Sequence, residues 1–558
     1  MLTFLSRKTR RPIRVCKTAT HFRPRLEALE DRCLLSAGAL DPTFGSGGIV
    51  TTSVGLSTIQ NGAAAVAIYP NAGTANDGKI VAAGEGSTNQ GSHSYVQGFG
   101  VARYQANGTL DSSFGSGGEV TTELASFLSQ ANDVAIQTDG KIVAVGFVQQ
   151  TWKSSREFAL VRYNLNGSLD STFGSGKSAG IVLGISGVAE AVALQADGKI
   201  VVAGRSSSGQ FALVRYNTNG SLDTTFNGSG EILSNVGGAG PSGGGLDELD
   251  VVVYPHSSTA NAGKIVVVGQ VPNSVAVLRY NSDGSPDSTF GGGKGYVLLN
   301  TSDSSSAPHV AIQADDRLDV AFTNSGATSE MSIARLQADG TLDPSFGVGG
   351  IVTTNHQMWD TATSIALQAD GKIVVAGEED GQTATTPVVA RFNATDGSLD
   401  TTFGVNGFQT VPVQTSDDFG VDVAIQPDGK IVLAGTEAVY GTGSNTFAFA
   451  LARFLPSDPE IGSFTANSNS VSAGSSLTLT ASNITDGNSG ATIIQVAFYY
   501  FDSSGTKQIL GYGTQTSPGM WTLSFTVNLA PGSYTLFSQA EDGYGAFGDP
   551  EALSLTVQ

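Results

Sequence analysis

The sequence predicts an all-β chain, a seven-bladed β-propeller of four-stranded antiparallel blades followed by a β-sandwich. Three observations carry that expectation. First, an L-D-x-x-F-G box, a D-G-K turn inside an apolar run and an A/V-R-Y strand end recur seven times in the same order. The boxes start at Leu40, Leu110, Leu169, Leu222, Pro286, Leu342 and Leu399, so successive units run 70, 59, 53, 64, 56 and 57 residues. A period near sixty with several short strands per unit suits radial repetition, because one small sheet cannot bury both of its faces alone. Second, glycine supplies 72 of 558 residues while charged residues are 14%, a turn-rich composition with no long helical period. Third, the periodicity stops after Phe454, and about a hundred residues of alternating β-pattern follow.

The third unit shows how a repeat is built. It reads L-D-S-T-F-G-S-G from Leu169, G-I-V-L from Gly180, A-V-A-L-Q-A-D-G-K-I-V-V-A-G from Ala191 and F-A-L-V-R-Y-N from Phe211. Four apolar stretches predict four strands. Asp197-Gly198 lies between two of them, and Asp-Gly is tight-hairpin chemistry because glycine accepts positive φ, so neighbouring strands are antiparallel. The run Ile200-Val201-Val202-Ala203 is apolar at consecutive positions, which requires cover on both faces, as neighbouring blades provide.

Both cysteines, Cys16 and Cys33, lie in the first 33 residues, so no disulfide framework holds the fold. That segment also carries nine of the 29 Lys plus Arg and three acids, leaving a body with a formal charge of −26. Such a body repels phosphate backbones, so nucleic acid is not expected as a partner. No segment has the roughly 18 consecutive apolar residues of a membrane-spanning helix.

The repeated ionic residues keep a fixed phase. Arg103 and Asp111, Arg162 and Asp170, Arg215 and Asp223, Arg279 and Asp287, and Arg335 and Asp343 are eight apart, and Arg391 and Asp400 are nine apart. An Arg-carboxylate clamp at each connection between blades explains a phase so uniform better than a ring of arginines around one anion. Units four and five depart from the pattern, with Ala262-Gly263-Lys264 and Asp315-Asp316-Arg317 replacing D-G-K. Residues 49–53 are expected to complete the last blade, with Asp41 pairing Arg453.

The turns before the boxes place oxygens at spacings that match half of a calcium loop, Asn281, Asp283 and Asp287 being the best set. Most of these turns offer only one carboxylate and two amides, few for Ca2+, so Asx turns are expected, with no cofactor and Ca2+ as the lesser alternative. Gly174-Ser175-Gly176-Lys177-Ser178 ends like a phosphate loop but lacks the leading glycine. The five histidines, His21, His93, His256, His309 and His356, share no metal-ligand spacing, and no nucleophile elbow is present.

At 455–459 the sequence L-P-S-D-P reads as a linker. Strands near 476–481, 493–501, 521–527 and 533–540 then suit an immunoglobulin-like sandwich without a cysteine pair, with Trp521 and Tyr499-Tyr500 read as core.

Two resemblances add to this reading. The combination L-D-P-S-F-G, A-L-Q-A-D-G-K-I-V-V-A-G and I-A-R-L resembles the delta-sixty repeat family of bacterial exported proteins, over roughly residues 40–454. That resemblance implies a propeller-like exported module with no established common activity. The stretch R-P-R-L-E-A-L-E-D-R-C-L-L-S-A, from Arg23, is similar to an L-E-x-L-E-D-R-x-L-L-S type leader of exported bacterial proteins and implies export to the cell surface or beyond. The expected organisation is a basic export leader at 1–37, the propeller at 38–454, the linker, and the sandwich at 460–558. A monomeric, non-catalytic binding or structural module is expected, for a glycan or a surface protein, with a secreted propeller hydrolase or lyase acting on polysaccharide as the alternative. Connections that vary between units collect on the side away from the D-G-K turns. Loops free of scaffold duty are where binding evolves, so the candidate ligand residues are His93, Tyr95, Trp152, His356, Trp359 and Tyr440.

Overall fold

The computed structural model describes residues 37–558 apart from 56–61, 92–93, 126, 176–178, 237–248, 256–258, 302–307, 326–328, 355–358, 381–384, 412–421, 441–444, 457–458, 487–491, 503–505 and 543–550. The expected leader therefore lies outside the described residues except for Ala37, which is buried and accepts the Gly404 N–H on its carbonyl at 2.7 Å. Among the described residues every named element is a β-strand, and no helix is long and apolar enough to cross a membrane.

The second unit illustrates the local logic. Its inner strand, Leu128–Ile136, turns at Asp139-Gly140 into Ile142–Gln149, with Gly140 at φ 82° and the Lys141 N–H on Asp139 Oδ1 at 3.1 Å. Residues Ile142 to Val145 are fully buried, as a consecutive apolar run requires. The chain returns in Glu157–Tyr163 and, after the box, adds an outer strand antiparallel to it.

That order, inner strand to outer strand, makes separate four-stranded sheets in five places. Units two and three are instead joined in one seven-stranded sheet. Ile181–Leu194 pairs through its first half with Glu157–Tyr163 and through its second half with Ile200–Ser206, serving as outer strand of one unit and inner strand of the next. No tight turn separates the two halves; the strand only bends at Gly187, φ 148°, and runs on.

The inner strands of units two, three and six carry bulges at Ala131/Asp133, Ala189/Ala191 and Ala362/Ser364. Glycine faces each bulge because a Cβ on Gly146, Gly204 or Gly377 would lie 2.0, 2.1 or 1.8 Å from a carbonyl oxygen of the bulged strand.

Each sheet packs on the next through an apolar layer. Ala144, Val161 and Tyr163 pack with Val81, Val101 and Phe114 of the unit before, and Val143 and Leu160 with Val202, Val214 and Phe173 toward the unit after. The last sheet packs on the first, with Val432, Ala434, Phe449 and Leu451 against Phe44, Val66, Ile80 and Ala82. The first strand, Ile49–Thr52, pairs with the last strand of the repeats, Asn445–Phe454, in the register Ile49 to Ala452, so the first described strand and the end of the repeats share one sheet. No outer edge is left open there.

Leu455, in the segment expected as a linker, is buried and exchanges backbone hydrogen bonds with Gly38 and Ala39, and beyond residue 459 a four-stranded sheet and a five-stranded sheet pack through one core. Leu477, Leu479 and Trp521 of the first meet Val496, Phe498, Leu536 and Leu555 of the second.

Candidate functional site

The edge bearing the D-G-K turns is occupied by ion pairs. Arg103, Arg162, Arg215 and Arg391 each donate through Nε to the box aspartate at 2.8 Å, and Arg279 to Asp287 at 2.6 Å. Arg453 reaches Asp41 through Nη2 at 2.9 Å. The same carboxylates take a second cation from the turn, as in Lys79 to Asp111 at 2.8 Å and Lys372 to Asp400 at 2.9 Å. Each arginine also donates Nη1 to a carbonyl of the following unit, for example Arg103 to Leu165 O at 2.7 Å and Arg279 to Ala338 O at 2.5 Å, with Arg453 closing onto Ala106 O. The guanidinium lies over the box phenylalanine at 4.4 to 4.8 Å in units such as Arg103 over Phe114 and Arg162 over Phe173. One arginine thus ties its own strand, its box and the next unit together.

Charge and hydrogen bonding set the aspartate ionisation. Burial alone would raise Asp170, but the Thr172 N–H and hydroxyl, Lys141 and Arg162 bring it down to about 2. Burial opposes the same effect at Asp400, where the Thr402 hydroxyl, Lys372 and Arg391 lower it to about 2.

Unit five is rewired. Arg335 does not take Asp343; its Nε and Nη2 donate to Asp319 at 2.6 and 3.1 Å, both residues fully buried. Asp343 is held by Arg317 at 2.9 Å. Asp319 lies directly opposite Arg335 in the sheet, where the other units have valine, and this nearer carboxylate captures the guanidinium.

The proposed calcium ligands do not converge. Asp287 Oδ2 meets both Arg279 and Lys264, Asp283 Oδ1 accepts the Ser285 N–H at 2.9 Å, and Asn281 Nδ2 donates to Ser285 Oγ at 3.0 Å. That is Asx-turn geometry, and among the described residues no three His, Cys, Asp or Glu side chains are grouped to hold a metal ion.

The axis carries residues that the sequence analysis did not single out. The inner-strand position before V-A-I is held by Ala65, Asp133, Ala191, Asp250, His309, Ser364 and Asp422 in successive units. Asp422 accepts the Val66 N–H at 2.7 Å, Asp133 the Val192 N–H at 2.6 Å and Asp250 the Val310 N–H at 2.8 Å, each bridging to the next unit. Ser364 donates to Asp422 at 2.6 Å, and His309 Nδ1 lies 3.8 Å from Asp250. Burial, then the charge of Asp422, pushes the Asp133 carboxyl well above its usual range, and burial raises Asp422 against the Ser364 and Val66 hydrogen bonds. Aligning the inner strands rather than the histidines would have exposed this set.

The opposite edge holds the described candidate ligand residues. His93 and His356 lie outside the described residues. Tyr95, Trp359 and Tyr440 are placed in strands, paired with Asn89, Asp380 and Asn445, and their side chains are not described. Trp152 is 71% exposed in the turn after Ile142–Gln149. Tyr95, Trp152, Trp359 and Tyr440 thus belong to four different units, the first, second, sixth and seventh. At the same end of the first unit, burial raises the Glu85 carboxyl to about 7, and its Oε1 has no hydrogen-bond partner among the described residues. In the C-terminal sheets Trp521 is in the core, and Tyr499 is buried against Phe537, their rings stacked at 5.5 Å.

No curated protein matches the chain. Among solved structures, the chain is similar to the polysaccharide lyase Uly1, at 13% identity over 71% of this chain and 90% of that one with a TM-score of 0.36. It is also similar to a glucose dehydrogenase, at 11% identity over 59% and 96% with a TM-score of 0.31. A PQQ-bound aldose sugar dehydrogenase from Streptomyces coelicolor follows at 12% identity over 53% and 98% with a TM-score of 0.27. Scores of this size place no site on the chain. The family model described as "Domain of unknown function (DUF5122) beta-propeller" matches residues 75–114, 137–173, 195–226, 263–290, 313–346, 368–403 and 426–458, one segment in each repeat, and the chain is accordingly a β-propeller repeat protein.

Proposed function

We propose that the chain is an exported, seven-bladed propeller with an immunoglobulin-like C-terminal sandwich, acting at the cell surface or beyond as a non-catalytic binding module for a glycan or a surface protein. One observation supports this above others: the ionic residues common to the repeats are spent on clamps between units at one edge. The other edge carries connections of unlike sequence on that rigid frame. The test is a glycan array run beside a panel of hydrolase and lyase substrates with the purified chain. Binding without turnover supports the module; a cleaved polysaccharide product contradicts it.

The alternative, a secreted enzyme acting on polysaccharide, has one observation in its favour. A carboxyl raised to about 7, as at Glu85, is poised as a general acid. If turnover is found, Glu85→Gln should abolish it.

A further inference from the structure

Of the 29 lysines and arginines, 20 lie beyond residue 33, and the box aspartates with Asp319 occupy fourteen of them, the seven strand-end arginines and the seven turn cations. Among the rest, Arg205 donates to the Gln270 carbonyl at 2.8 Å and Lys507 lies over the Tyr499 ring. Lys153 and Arg156 differ in sharing one short turn, and neither meets a carboxylate among the described residues.

The turn is built rather than loose. Thr151 N–H donates to Ser154 Oγ at 2.9 Å, Ser154 N–H returns to Thr151 O at 3.0 Å, and Gln149 Nε2 holds Ser154 O at 2.9 Å. Trp152 projects from it with 71% exposure, Lys153 Nζ stands 4.6 Å from the indole centroid, and the Arg156 guanidinium rests 4.1 Å over Phe147. With Lys153 over one indole face, the other is left to stack on the C–H face of a pyranose, and the two cations suit carboxylate or sulfate oxygens. Beyond residue 33 the chain has a formal charge of −26 and repels polyanions, so on that body an anionic ligand is drawn to this place by contrast with its surroundings.

We infer that this turn is a subsite for an acidic polysaccharide, with Trp152 stacking on a sugar ring and Lys153 and Arg156 taking its carboxylate or sulfate groups. The inference rests on the binding-module reading. It is tested with the full-length chain by calorimetry against polygalacturonate, dextran sulfate, neutral dextran and oligo(dT).

The expected result is binding to both acidic polysaccharides and not to dextran or oligo(dT). Affinity should fall at least tenfold in Trp152→Ala and in the double variant Lys153→Ala/Arg156→Ala, with the melting temperature of Trp152→Ala unchanged because that side chain is exposed. Absence of binding, equal binding of dextran or oligo(dT), or affinity insensitive to Trp152 overturns the subsite. Binding of other glycans on the array with Trp152 irrelevant overturns the subsite alone, whereas turnover of a probe overturns the module reading itself.

Discussion

Asp319 stands where the other units place Val81, Val143, Val201, Val266, Val374 and Val432, each opposite its strand-end arginine. A buried pair adds little net stability over an apolar pair, but removing one partner strands the other charge at a cost of about 3–5 kcal/mol. Arg335→Met should therefore shift the urea midpoint strongly downward. Asp319→Val alone should also destabilise, while Asp319→Val with Arg317→Lys should recover most of the loss by letting Arg335 take Asp343 as the other units do. The even spacing of arginine and aspartate made five of these pairs legible in the sequence, and the expected pairing of the first strand with the last made Asp41 with Arg453 a sixth. The seventh was not, because a single V→D change inside an apolar strand looks like noise until the sheet register sets it against Arg335. The pH dependence follows from two opposed groups. The box aspartates, with folded values near 2 at Asp170 and Asp400 against 3.8 unfolded, contribute stability that is lost as pH falls below about 4. Asp133 is raised, so its contribution is present below 3.8 and lost as pH rises through its folded value. A melting series should show Asp133→Asn gaining on the parent chain as pH rises from about 4 to about 8.

At the scale of elements, the glycines facing the inner-strand bulges are the sharpest constraint. Gly146→Ala puts a methyl 2.0 Å from Gln130 O, so the bulge must open, and a loss of about 1–3 kcal/mol is expected in thermal or urea unfolding. Strand positions within each unit were legible because D-G turns and consecutive apolar runs mark hairpins covered on both faces. The continuous strand Ile181–Leu194 was not, since a missing turn gives no signal in a sequence read for turns. In the C-terminal region the apolar alternation located four strands, whereas Glu460–Ala466 and Lys507–Tyr512 are short with glycine inside their pattern, and Glu551–Val557 was missed although Leu553, Leu555 and Val557 alternate with Ser554 and Thr556.

For the whole molecule, clamps, axial carboxylates and apolar layers all run from one unit to the next, and the last of each returns to the first: Arg453 to Ala106, Asp422 to Val66, Leu451 toward Phe44. Because the box aspartates are taken up by the chain's own cations, a chelator should leave the melting temperature unchanged, and a fall of more than about 5 °C would restore the calcium reading. Closure by the first strand is the claim on which this frame depends. It is tested most directly by a disulfide between Thr51 and Ala450, which face each other in the register of the closing sheet, introduced as T51C/A450C with Cys16 and Cys33 changed to serine. Mild oxidation should cross-link this pair nearly completely and raise the melting temperature, while T51C/L451C, one residue out of register with the thiols on opposite faces, should not cross-link. No cross-link in the first pair, or equal cross-linking in both, would contradict a ring closed by its own chain start.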